Sequence, residues 1–167
     1  MESDLRPRSH VERKSVFTVK KSFLLMGTAM LFLSACSAPK GITVREAWIR
    51  ATKAGENGAI YFVLQNDSTE QDELIGASSD LADAVEIHES SMVTGTDVMQ
   101  MTQVSSVALD TGSEVTFEPG GLHVMLVGLK KELKVGDVIE LTLHLKKHAD
   151  ILVRVPVAEF APDEHSH

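Results

Sequence analysis

Cysteine is nearly missing from this chain: Cys36 is the only one in 167 residues, so no intramolecular disulfide can form. Positive charge is scarce beyond the N-terminus. The first 35 residues carry six Lys/Arg and three Asp/Glu, while the remainder carries ten and twenty-one, a formal net charge of −11. Phosphate binding needs a basic footprint, so nucleic acid is excluded as a partner. Long apolar runs are missing too. The longest candidate, "SFLLMGTAMLFL", has twelve residues, too few to span a bilayer. No stretch sustains helical periodicity, and no internal repeat is visible. An oriented carboxylate pair, a nucleophile elbow, an HExxH helix and a phosphate loop are all lacking, which leaves an enzyme without support.

What is present begins with a targeting pattern. Lys20 and Lys21 precede the apolar run, which meets the small residues Ser34, Ala35 and Cys36. A charged region, an apolar region and a small-residue junction make an export signal. Leu33-Ser34-Ala35-Cys36 resembles a bacterial lipobox, in which Cys36 is lipidated and becomes the first mature residue. More than one acyl chain gives lasting attachment, so the expectation is a lipid-anchored extracytoplasmic protein, at the periplasm or cell surface. The plainer alternative is a secretory signal with an incidental cysteine.

The expected organisation is an N-terminal extension and lipoprotein signal over residues 1–35, a tether over 36–41, a β-domain over 42–159 and a polar, His-containing tail over 160–167. Within the domain, alternating or β-branched runs separated by Gly-containing turns predict nine strands, at 42–49, 59–66, 73–78, 84–89, 97–104, 114–118, 122–128, 138–145 and 150–157. Nine short strands in this length predict an all-β, two-sheet sandwich.

The methionines are unevenly placed. Of seven, Met92, Met99, Met101 and Met125 fall between His88 and Met125, among Ser, Thr, Gly and Gln. Side chains alternate across a strand, so Leu122, Val124 and Leu126 share one face while His123 and Met125 share the other. The same parity puts Val85 and Ile87 inward, His88 outward, and Met99 with Met101 on one face. Imidazole with thioether and no thiolate is a soft ligand set, suited to Cu(I) rather than to Ca²⁺, Mg²⁺ or structural Zn²⁺. Thioethers need no deprotonation and cannot be lost to disulfides in an oxidising compartment, although they can become sulfoxides. A blue-copper electron carrier needs a Cys thiolate beside two histidines, which the domain does not offer. The bland alternative for Met99 and Met101 is core filling. For His88 it is a hydrogen-bonded surface histidine. The acids between 67 and 83, Asp72 among them, read as a solvated surface, and His144 and His148 as solvated strand-end residues.

The ordered pattern then resembles the bacterial extracytoplasmic copper chaperone family called PCu(A)C, whose motif is His, ten residues, Met, twenty-one residues, His-x-Met. Here twenty-one residues separate Met101 from His123-Val124-Met125, while twelve rather than ten separate His88 from Met101. A hairpin two residues longer would leave the ligands in place; otherwise Met99 replaces Met101. The resemblance also covers "AWIR", "GAIYFVLQN", "IHESSM" and "PGGLHVMLVGLK". It implies a cupredoxin-like Greek-key β-sandwich that binds Cu(I) at an exposed site, here His88, Met101, His123 and Met125; beside these, Met99 stands as substitute for Met101, and Met92, four residues after His88, reads as an auxiliary thioether. It further implies delivery to an acceptor such as a haem-copper oxidase subunit or its assembly factor. Copper storage or detoxification uses the same ligands, and a metal-free scaffolding lipoprotein is the alternative from another class. His165 and His167 in the tail form a possible second, Cu(II) site.

Overall fold

The computed structural model describes residues 41–95 and 97–160. The N-terminal segment with Cys36, and the tail with His165 and His167, lie outside the described residues. Ten strands are present among those described: β1 (Ile42–Arg50), β2 (Gly58–Asn66), β3 (Asp72–Ser78), β4 (Ala82–Met92), β5 (Met99–Gln103), β6 (Val107–Leu109), β7 (Glu114–Phe117), β8 (Leu122–Leu129), β9 (Val138–Leu145) and β10 (Ile151–Ala158). Nine of them coincide with the predicted strands. The tenth, β6, has three residues, too few for alternation to register in the sequence.

The strands follow the order β5-β4-β8-β7-β2-β1-β10-β9-β3-β6, with an added β8–β2 pairing. A short parallel contact, Ile49 with Val157 and Arg50 with Ala158, joins the β1 side to the β10 side. Elsewhere pairing is antiparallel except for Phe117 with Leu122. This is the all-β sandwich that the strand pattern predicts, in the cupredoxin-like Greek-key form that the family resemblance implies. Alternate residues of β2, β8, β9 and β10 supply the core, including Ile60, Phe62, Leu64, Val124, Leu126, Leu141 and Val155. Phe62 and Phe117 stack at 4.3 Å within it. Each large side chain withdrawn from water contributes about 1.5–3 kcal/mol.

Two local features position the outer face of the sheet. In β1 the register with β2 shifts between Arg45 and Trp48, and Glu46 adopts φ 55°. The extra residue pairs Trp48 with Tyr61, turning the indole away from the core that Ile49 enters. Before β8, Gly120 has φ 84°, a conformation that favours glycine and that turns the chain into Leu122.

Asp72 corrects the sequence reading. Expected on a solvated surface, its carboxylate is fully buried. It accepts hydrogen bonds from the backbone amides of Glu73, Lys147 and His148 and from His148 Nδ1 at 2.6 Å. Burial pushes its pKa up, but these four donors outweigh burial and hold it at about 2. His148 is therefore a pin for the β9–β10 connection rather than a solvated residue. His144 is likewise engaged at both nitrogens, by Asp150 at 2.8 Å and by Ser78 Oγ at 2.9 Å.

Candidate metal-binding site

The three strands that carry the soft residues are neighbours. β4 lies between β5 and β8, with His88 paired to His123 on one side and to Gln103 on the other. Paired residues point to the same face. Ser90 pairs with Met101, Met92 with Met99, and Glu86 with Met125. His88, Met101, His123 and Met125 thus share one face, together with Met92, Met99 and Glu86. The opposite face of β4 and β8 sends Ile87, Val124 and Leu126 into the core.

The histidines occupy one cross-strand row. Their ring centroids are 5.8 Å apart and the rings nearly perpendicular, at 74°. Met101 is a diagonal neighbour of His88, with Cα atoms about 7–8 Å apart in such a relation. Met125 stands two residues beyond His123 on the same strand, about 7 Å away. Both long side chains can therefore reach a point between the imidazoles. Met99 and Met92 form the next pair outward, a further 7 Å or so from the histidine row. Beyond the Met92–Met99 pair the hairpin is closed by Val93 N, which donates to Val98 O.

Exposure separates these residues. Met99 and Met101 are each 51% exposed and every residue of β5 is exposed, so neither methionine fills the core. His123, expected to be exposed, is buried at 3%. Its outward parity holds, but the outer face is not bare there. The Tyr61 ring lies 6.3 Å away on one side and His88 on the other, with Trp48 behind Tyr61 at 5.0 Å. Arg50 closes the row over the indole at 5.9 Å. Burial raises the Tyr61 pKa against the opposing pull of Arg50, keeping the phenol neutral beside the histidines.

Hydrogen bonding decides which nitrogens can act. His123 Nδ1 lies 3.1 Å from the carbonyl of Gly121, a pure acceptor, so Nδ1 carries the proton and Nε2 the lone pair. His88 Nε2 lies 2.8 Å from Glu86 Oε2, and His88 Nδ1 is buried without a hydrogen-bond partner among the described residues. An orphaned buried nitrogen costs about 1–3 kcal/mol. A bound metal would relieve that cost, and two imidazoles flanked by thioethers fit a soft monovalent ion. Among the described residues no three His, Cys, Asp or Glu side chains cluster as a harder metal would require. Sequence reasoning missed Glu86 and Tyr61. Glu86 was findable, since it precedes His88 by two residues and so shares its face; Tyr61 depends on the β2–β8 register, which no local pattern announces.

Comparison with known proteins identifies the family. Residues 42–157 match the LpqE-like family, described as "Putative lipoprotein LpqE-like". A Leifsonia xyli subsp. xyli protein named "Putative lipoprotein Lxx21020" is 33% identical over 121 residues, 72% of each chain. An uncharacterised Rickettsia prowazekii protein is 33% identical over 107 residues, 64% of this chain and 58% of its own length. Among solved structures, the copper-bound PCuAC domain from PmoF2 superposes with a TM-score of 0.59 at 28% identity, covering 73% of this chain and 95% of that domain. The Cu(I) form of DR1885 from Deinococcus radiodurans superposes at 0.54 with 28% identity, covering 75% and 82%. With the family model spanning the sandwich from β1 to β10 and copper-bound PCuAC domains sharing its strands, the chain belongs to the LpqE-like, PCu(A)C family.

Proposed function

We propose that this protein is a copper chaperone that binds one Cu(I) between His88 and His123, completes the site with Met101 and Met125, and passes the ion to an extracytoplasmic acceptor. The observation that carries the reading is the facing pair of imidazoles, each with an unprotonated nitrogen, set between thioethers on one face of β5, β4 and β8. The copper-bound relatives support the choice of metal. Exchange starts at Met101, which is half exposed on the sheet edge, and His123, buried against Tyr61, releases last. The role is carriage, not catalysis. Lipidation at Cys36 holds the domain at a bacterial membrane, a reading that the lipoprotein name of the Leifsonia relative supports. The acceptor is a copper protein of that compartment, such as a haem-copper oxidase subunit or its assembly factor.

An anaerobic Cu(I) competition titration of the chain lacking residues 1–36 tests the site. One tight equivalent is expected, weakened at least tenfold, about 1.4 kcal/mol, when Met101 and Met125 are replaced by Leu. Equal and poor competition by both proteins would remove the copper reading and leave a metal-free scaffold.

A further inference from the structure

His88 is tethered at one nitrogen and bare at the other, and the tether comes from its own strand. Glu86 and His88 are separated by one residue of β4, so their side chains emerge on the same face about 7 Å apart. The glutamate bends along the strand to bring Oε2 within 2.8 Å of His88 Nε2. Both side chains are partly withdrawn from water, at 33% and 15% exposure, which shields the contact from solvent competition. A carboxylate has only acceptor positions, so Nε2 must carry the hydrogen and the lone pair of the neutral ring sits on Nδ1. Nδ1 is the buried atom that lacks a partner among the described residues. His123 has the opposite arrangement, with Nδ1 committed to the Gly121 carbonyl.

We infer that Glu86 is a positioning residue that fixes His88 in the Nε2–H form, so that the metal is taken by His88 Nδ1 and His123 Nε2, a mixed pair of imidazole nitrogens. The inference rests on the copper reading of the site and adds which atoms hold the ion and what aims them. A ligating imidazole that donates its other N–H to a carboxylate is held in one orientation and made more basic, and loss of such a partner weakens metal binding about 10–100-fold. Glu86 performs this for His88 as the Gly121 carbonyl does for His123. The carboxylate also stands opposite Met125 in the β4–β8 register, so the side chain that aims one ligand borders another.

The test uses the full-length chain in detergent, labelled with 15N at histidine and titrated with silver-109(I), a soft monovalent probe whose nuclear spin splits the signal of the nitrogen it binds. Before silver, long-range 1H–15N spectra should show His88 protonated at Nε2 and His123 at Nδ1. With silver, splitting should appear at His88 Nδ1 and His123 Nε2. Glu86→Leu should turn His88 into a mixture of tautomers and weaken silver binding about tenfold or more. Glu86→Gln, whose carbonyl can accept the same hydrogen bond, should restore the Nδ1 splitting. Splitting at His88 Nε2 in the unaltered protein would overturn the inference while leaving the metal site standing. So would a tautomer and affinity that Glu86→Leu leaves unchanged. Absence of splitting at every imidazole would overturn the inference together with the copper reading beneath it.

Discussion

Asp72 and His88 are both polar side chains drawn out of water, and they differ in whether every atom has found a partner. Asp72 has: four donors surround its carboxylate and hold its pKa at about 2, against an ordinary value of 3.8. A depressed carboxylate stabilises the fold above its unfolded pKa and ceases to do so as pH falls through the folded one. Acid titration from pH about 4 to about 2 should therefore remove about 2 kcal/mol of stability through this residue. Asp72→Asn should flatten that part of the profile and cost roughly 2–3 kcal/mol at neutral pH, because an amide NH₂ would face the His148 donors. Urea unfolding of both proteins at several pH values checks this. His88, with Nδ1 unpartnered, predicts the opposite balance. His88→Phe keeps a planar ring and removes the orphaned nitrogen, so the urea midpoint should stay level or rise while Cu(I) affinity collapses. A marked loss of stability would mean that the histidine is held for the fold.

The β4–β5 hairpin is the element on which the site depends, and its parity can be tested without changing composition. Exchanging two neighbours, Gln100→Met with Met101→Gln, moves one thioether to the opposite face of β5. Cu(I) affinity should fall as far as in Met101→Leu, whereas the same affinity would show that β5 does not hold the ligand by its face. Parity was also what made the site legible in the sequence. His88, Met101, His123 and Met125 could be sorted onto one face because each sits in a strand whose partners alternate into the core. The nine longer strands were legible for the same reason. What could not be read locally was set by long-range register. The burial of His123 depends on Tyr61 from β2, the orientation of Trp48 on the one-residue shift at Glu46, and the burial of Asp72 on backbone amides 75 residues further on. In the β4–β5 pairing, residues 91–100 lie beyond the Ser90–Met101 pair, so hairpin length there can vary without moving Met101 relative to His88.

At the scale of the molecule, the soft atoms and the core are kept apart. Met92, Met99 and Met101 are half exposed at one edge, while among the described residues the core cluster is built from Phe, Leu, Ile, Val and Ala82 without methionine. Oxidation should therefore damage the proposed copper site and spare the fold. Limited peroxide should convert Met92, Met99 and Met101 to sulfoxides ahead of the half-buried Met125, abolish Cu(I) binding and leave the far-UV spectrum and urea midpoint unchanged. Peptide mass spectrometry gives the order, and prior loading with Cu(I) should protect Met101. The edge position of the hairpin carries a consequence for recognising such proteins. Because paired residues across β4 and β5 have numbers that add to a constant, 88 with 103 and 90 with 101, lengthening both arms equally changes the interval between ligands but not where they stand. A search that demands a fixed number of residues between the first His and the first Met would pass over this chain. One that asks for a Met on the His-bearing face of the returning strand, diagonal to the His, would find it at any hairpin length.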